Sequence, residues 1–154
     1  MKKIITTIFG LLLSTGLLLA QDLSVGTASI AKADRPCIIA EYTMPSEIVR
    51  EALADKLKQS NITGKGGKVK GGFRVYKGVS IPSVSDDKVD LYTRISGKKD
   101  NSTMYMAISR GYDNFMTPES DSETIAKAQV FIKSMMANVN IAKIKTDIAA
   151  QAKV

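Results

Sequence analysis

The segment from Val89 to Ser109 leaves this chain little freedom in what it can become. Val89, Leu91, Thr93 and Ile95 alternate with Asp90, Tyr92 and Arg94. After Gly97-Lys98-Lys99-Asp100-Asn101, the residues Met104, Met106 and Ile108 alternate with Thr103, Tyr105 and Ala107. Alternation with a period of two places one set of side chains on each face of a strand. A short connection rich in Gly, Asp and Asn turns the chain back beside itself. The pair is therefore read as an antiparallel hairpin with one face on a core.

A hairpin of this kind needs a second layer to cover it. Ile48, Val49, Ala52, Leu53 and Leu57 recur at helical spacing, with Pro45 suited to the first turn, Glu47 near the N-terminal end, and Lys56 and Lys58 in the last turn. Gly64 is expected to end that helix. Further on, Ser120 and Glu123 have the spacing of a capping box. Ile125, Ala128, Ile132, Met135, Val139 and Ala142 then follow at helical intervals. The apolar phase drifts afterwards to Ile141, Ile144 and Ile148, which predicts a break near Asn138 or Asn140.

Cys37 to Thr43 reads as a strand between Pro36 and Pro45, and Phe73, Val75, Val79 and Ile81 alternate around Lys77-Gly78 as a hairpin or a bulged turn. The order strand, helix, strands, long helix predicts an α+β fold. Its antiparallel sheet would have four to five strands, with two helices packed on one face.

The chain has 154 residues, enough for one packed domain. Met1-Lys2-Lys3, an apolar run from Ile4 to Leu19 and then Ala20-Gln21-Asp22 form the pattern of a bacterial-type signal peptide. Residues 1–20 are expected to be removed near Ala20/Gln21, with the protein exported to the periplasm or secreted. No cysteine sits at that point to carry a lipid, and no transmembrane span is expected after cleavage. Residues 21–36 would be a lead-in arm or edge strand, and residues 37–154 a single α+β domain. Lys2 and Lys3 leave with the peptide, so Lys and Arg fall from 22 to 20 against 15 acids. The formal net charge thus drops from +7 to +5.

Composition also narrows the chemistry. With no His and a single Cys, the usual neutral-pH acid/base and a Cys–His nucleophile are both missing. Cys37 lies in the apolar run Cys37-Ile38-Ile39-Ala40 and is expected to be a small buried hydrophobe, the alternative being a disulfide to another chain. For catalysis, the candidate carboxylates are Glu41, Asp86, Asp87 and Asp90. A glycosidase needs two acids about 5–10 Å apart across a cleft, and nothing in their spacing sets up such a pair. Asp113, Glu119, Asp121 and Glu123 do not follow an EF-hand spacing and read as helix-start and loop acids. No catalytic residue, metal or cofactor is therefore expected, and a secreted enzyme ranks third among the readings.

The clearest charge feature runs from Lys56 to Ser85. It contains Lys56, Lys58, Lys65, Lys68, Lys70, Arg74 and Lys77, with no acid before Asp86. Gly64 to Gly72 (GKGGKVKGG) is not a P-loop, because Lys68 is followed by Val69 and a helix precedes the loop. Phe73 and Tyr76 flank Arg74, but without a basic recognition helix nucleic acid is not an expected partner. Lys65, Lys68, Lys70, Arg74 and Lys77 are the candidate contacts to an anion or an acidic partner. The leading expectation is an exported, non-catalytic binding or envelope-associated domain that meets an acidic protein, glycan or lipid-headgroup surface through this segment. The alternative is a carrier that holds a small apolar ligand between the sheet and the C-terminal helix, where several of the seven Met residues would lie.

Overall fold

The computed structural model describes residues 22–152, so the signal-peptide expectation for residues 1–20 lies outside the described residues. The elements are β1 (Asp22–Ile30), β2 (Ala33–Tyr42), α1 (Ser46–Gln59), β3 (Gly67–Val69), β4 (Phe73–Ile81), β5 (Ser85–Gly97), β6 (Ser102–Ser109), α2 (Ser122–Ser134) and α3 (Met136–Gln151). The strands form one sheet in the order β1-β2-β6-β5-β4-β3, antiparallel at every pairing. The α+β class with an antiparallel sheet is as expected. The strand count is corrected from four or five to six. Residues 22–30 pair along their whole length with β2, and the Gly-rich segment supplies the short strand β3.

Several local expectations stand and others shift. The hairpin β5–β6 forms in continuous register from Asp90↔Ser109 to Gly97↔Ser102. β4 is one strand and not a hairpin, with register shifts between Tyr76 and Val79. At that bulge Gly78 has a φ of 59° and its N–H donates to Asp90 Oδ1 at 2.8 Å. β2 starts at Ala33, ahead of Pro36. Proline is tolerated there because pairing with β6 begins only at Ile38, so its missing N–H breaks no ladder.

α1 buries Ile48, Val49, Ala52, Leu53 and Leu57 as its periodicity requires. It ends at Gln59, and Asn61, not Gly64, takes the left-handed position that closes it. Asn61 has a φ of 59°, its N–H donates to the Lys58 carbonyl at 3.0 Å, and the Ile62 N–H donates to the Leu57 carbonyl at 2.9 Å. That is a Schellman closure with Ile62 folded back onto the core.

The long C-terminal helix bends into α2 and α3 at Met135, not at Asn138 or Asn140. Met135 is fully buried, and Asn138, Val139 and Ala142 are buried as well, so the chain must turn before them to keep both segments on the core. The capping box does not form. The Ser120 hydroxyl donates to Asp121, Glu123 pairs with Lys127 at 2.7 Å, and the helix begins at Ser122.

The helices cover one face of the sheet. Ile38, Val49, Leu91, Met104, Met106, Ile132 and Met135 fill the space between the layers, each at 1% exposure or less. The opposite face has a smaller apolar cluster of Ala28, Ile30, Cys37, Phe73, Ala107 and Phe115. None of the described helices contributes to it; the sheet curls until its two edges meet at one end. The Ala31 N–H donates to the Lys70 carbonyl at 3.1 Å. Gly71 lies so close to the Ser29 carbonyl that a Cβ would stand 2.3 Å from its oxygen. Arg94 closes the space: its guanidinium stacks over Phe73 at 4.8 Å and Tyr105 at 4.2 Å and donates to the Gly71 carbonyl at 2.9 Å. Cys37 is buried in this cluster at 4% exposure. Burial pushes its thiol pKa up, with nearby Arg94 a smaller opposing influence.

Candidate anion-binding groove

α1 crosses β5 and β6 and leaves the outer part of the same sheet face uncovered. There a groove of about 500 Å³ opens between α1, β4 and β5. Arg50, Leu53, Ala54 and Leu57 face it from successive turns of α1, the spacing that aligns side chains in one stripe. From the sheet come Arg74 and Tyr76, with Thr93 and Ile95. Arg74 pairs with Thr93 and Tyr76 with Leu91, which places them on the helix-facing side. Lys65 enters from the loop after α1. A continuation of about 320 Å³ adds Lys58, Ile62 and Thr63.

The groove is therefore apolar along its walls and cationic at its rim. Arg50, Lys58, Lys65 and Arg74 line it, and no carboxylate does; Arg94 borders it, but its guanidinium lies on Phe73 and Tyr105 of the opposite face. Arg50 is held across one end, donating to Ser46 Oγ at 3.1 Å and to the Ile95 carbonyl at 3.1 Å. Two of the three acids of α1 point elsewhere: Glu51 and Asp55 face Lys145 of α3 at 4.0 and 3.7 Å. Burial raises the Tyr76 phenol pKa against the smaller effect of Arg74, so its hydroxyl remains a donor at neutral pH. A site of this composition can hold an anionic group at the rim while an attached apolar body lies against Leu53, Leu57 and Tyr76.

The fold divides the basic segment. Lys65 and Arg74 reach the groove. Lys68 pairs with Arg74 across β3–β4 and is exposed on the same sheet face. Lys70 sits in the β3–β4 turn, where its carbonyl receives the Ala31 N–H. Lys77 lies within the bulge between Tyr76 and Val79, in an open depression of about 740 Å³ with Asp90, Tyr92, Tyr112 and Asp113, so its charge is locally opposed. Arg50 lies outside the basic run, and Lys58 belongs to the run without being one of its candidate contacts. The signal for Arg50 is the stripe Arg50–Leu53–Ala54–Leu57, which mixes cation and apolar side chains on one face. Another depression of about 600 Å³, lined by Gln59, Asn61, Ser80, Pro82 and Lys88 among others, has no comparable cluster of cations.

The other candidate residues are dispersed. Glu41 is level with Thr103 and Ser96, whereas Asp90 is level with Ser109. Six residues of β6 separate those levels, roughly 20 Å at strand rise, too far for a catalytic pair. Asp86 and Asp87 are exposed at the start of β5. Three acids of the 113–123 stretch each have a basic partner: Asp113 with Arg35 at 3.3 Å, Asp121 with Arg110, and Glu123 with Lys127. Among the described residues no group of His, Cys, Asp and Glu could hold a metal ion, and no helix is long and apolar enough to cross a membrane. No family model, curated protein or solved structure matches the chain.

Proposed function

We propose that this protein is an exported, non-catalytic binding domain whose α1–β4 groove takes an anionic group carried on an apolar body. The observation that carries the reading is the groove itself, where Arg50, Lys65 and Arg74 surround Leu53, Leu57 and Tyr76 without a carboxylate. Unopposed cations beside low-dielectric walls attract an anion more strongly than the same charges on an open surface. An acidic peptide, an acidic glycan or a lipid headgroup would each present that chemistry. Export rests on the Met1–Ala20 pattern.

Two fluorescent probes of similar shape test this. Anilinonaphthalene sulfonate carries a charge and N-phenylnaphthylamine does not. The anionic probe is expected to bind and to weaken with salt. Arg74→Glu should weaken it roughly tenfold through a two-charge change at short range. The neutral probe should bind far less. Equal binding of both probes, or an Arg74→Glu protein with unchanged affinity, would defeat the reading.

A further inference from the structure

The two edges of the sheet differ in how they are protected. β3 is three residues long, with Lys65, Lys68 and Lys70 in or beside it, which discourages strand addition. β1 spans nine residues, and from Leu23 to Ile30 it has no charge and no proline.

The phase of its hydrogen bonds follows from the β1–β2 turn. Ile30 pairs with Ala33 around Ala31 and Lys32, both at positive φ (53° and 74°), which defines a two-residue type I′ hairpin. The pair flanking such a turn is hydrogen-bonded, and bonding alternates from there. Ile30, Ala28, Gly26 and Ser24 therefore bond to β2, while Ser29, Thr27, Val25 and Leu23 direct their backbone groups outward. The Ser29 carbonyl meets Gly71, in agreement with this phase. Leu23, Val25 and Thr27 remain, and no described residue pairs with their outward side. Val25 is also one of the large apolar side chains left exposed, at 42%.

We infer that β1 pairs with β1 of a second copy of this chain, antiparallel about a two-fold axis through Val25. The free set is centred on Val25 and complements itself. Val25 faces Val25 of the other copy and Leu23 faces Thr27, each pair exchanging both of its hydrogen bonds. All three residues lie on the helix-facing side, since Leu23 pairs with Ala40 and Val25 with Ile38, so the two exposed valines cover each other. Growth of β1 onto β3 would build fibres. The lysines at β3 oppose it, and the symmetric contact closes as a dimer. The contact falls below the roughly 800 Å² per partner of a standard interface, so the association is expected to be reversible, in the range of about 1–100 µM.

The test uses protein recovered from the cells that make it, kept under reductant and followed by sedimentation velocity across that range. A concentration-dependent monomer–dimer equilibrium is expected, weakened at least tenfold by Val25→Lys. Register is read separately by oxidative cross-linking. Paired positions of this kind stand about 5.5 Å apart at Cα, which suits a disulfide. Val25→Cys should cross-link with itself. Thr27→Cys should not, but should do so when mixed with Leu23→Cys. A monomer at every concentration overturns the inference. So does a dimer that survives Val25→Lys and is lost with Ile144→Lys, which would put the contact on α3, or self-linking of Thr27→Cys. Cross-linking remains decisive if the lysine variant folds poorly.

Discussion

Replacing Ala31-Lys32 by Asn-Gly is expected to stabilise the protein by about 1–2 kcal/mol. Both residues adopt the left-handed conformation in the β1–β2 turn, which costs an ordinary side chain roughly 1–2 kcal/mol. Glycine at position 32 removes that cost and loses about 0.5–1 kcal/mol of it to the greater freedom of the unfolded chain. Asparagine tolerates the region better than alanine, and the backbone N–H at position 31 that bonds Lys70 is unaffected by the change. Equilibrium urea unfolding should show a higher midpoint at unchanged slope, and the melting temperature should rise by roughly 4 °C. Ala31→Val is the opposing control, because a β-branched residue is especially poorly placed at positive φ, and it should lower stability by about 1 kcal/mol or more. An Asn-Gly variant no more stable than the parent, or a harmless Ala31→Val, would refute the type I′ turn. The hydrogen-bond phase assigned to β1 would fall with it.

Two further outcomes follow from buried groups. Asp121 accepts hydrogen bonds from Ser120, Arg110 and the Thr117 backbone N–H. The Ser120 hydroxyl is the largest influence holding its carboxyl below the ordinary carboxylate value. Asp121→Ala should therefore cost about 1–3 kcal/mol at pH 7, with Arg110 half exposed and so partly rehydrated. A depressed folded-state pKa gives stability that is complete above the unfolded value of about 3.9 and is lost as pH falls through the folded one. The gap between parent and variant in urea unfolding should accordingly narrow as the pH falls below the unfolded value; a gap that persisted through acid would assign the loss to packing. Cys37, buried with a raised pKa, should resist a thiol reagent at pH 8 and react fully once unfolded. Rapid labelling of the folded protein would contradict its enclosure behind Arg94.

What was legible in the sequence is what period alone determines. The β5–β6 hairpin and α1 stand on residues whose alternation or helical spacing repeats over several turns. The sequence of β1 fits an arm as well as an edge strand, because its turn is Ala-Lys where the usual signal would be Asn-Gly. β3 has only Gly67, Lys68 and Val69, too few for any period to show. The helix break was displaced because it depends on where Met135 docks, a tertiary fact. Of the candidate contacts, Lys65 and Arg74 share the groove and Lys77 does not, since the regular pairing of β4 runs only to Tyr76 and Lys77 falls in the bulge that follows. A charge run in sequence is therefore a poor map of a charged surface. The groove needed the crossing of α1 over the sheet to bring Arg50 to Arg74.

The two proposals make a joint prediction that neither makes alone. Antiparallel addition at a sheet edge proceeds about an axis perpendicular to the sheet, so both helical layers fall on the same side of the joined sheet. Each groove opens on that side, toward the β4 end away from the β1 seam. A dimer would thus present two cationic grooves in one direction, suited to a partner with repeated anionic groups. Linked sites gain effective concentration without new contacts, commonly by a factor of about 10² or more. Val25→Lys should therefore weaken binding to a sulfated polysaccharide far more than to the single-charge naphthalene probe. Arg74→Glu should weaken both. If Val25→Lys reduced binding of the two ligands equally, the edge strand would be acting on the fold of the groove and not on the number of grooves presented. If it reduced neither, the grooves would work singly and the seam at β1 would have no part in binding.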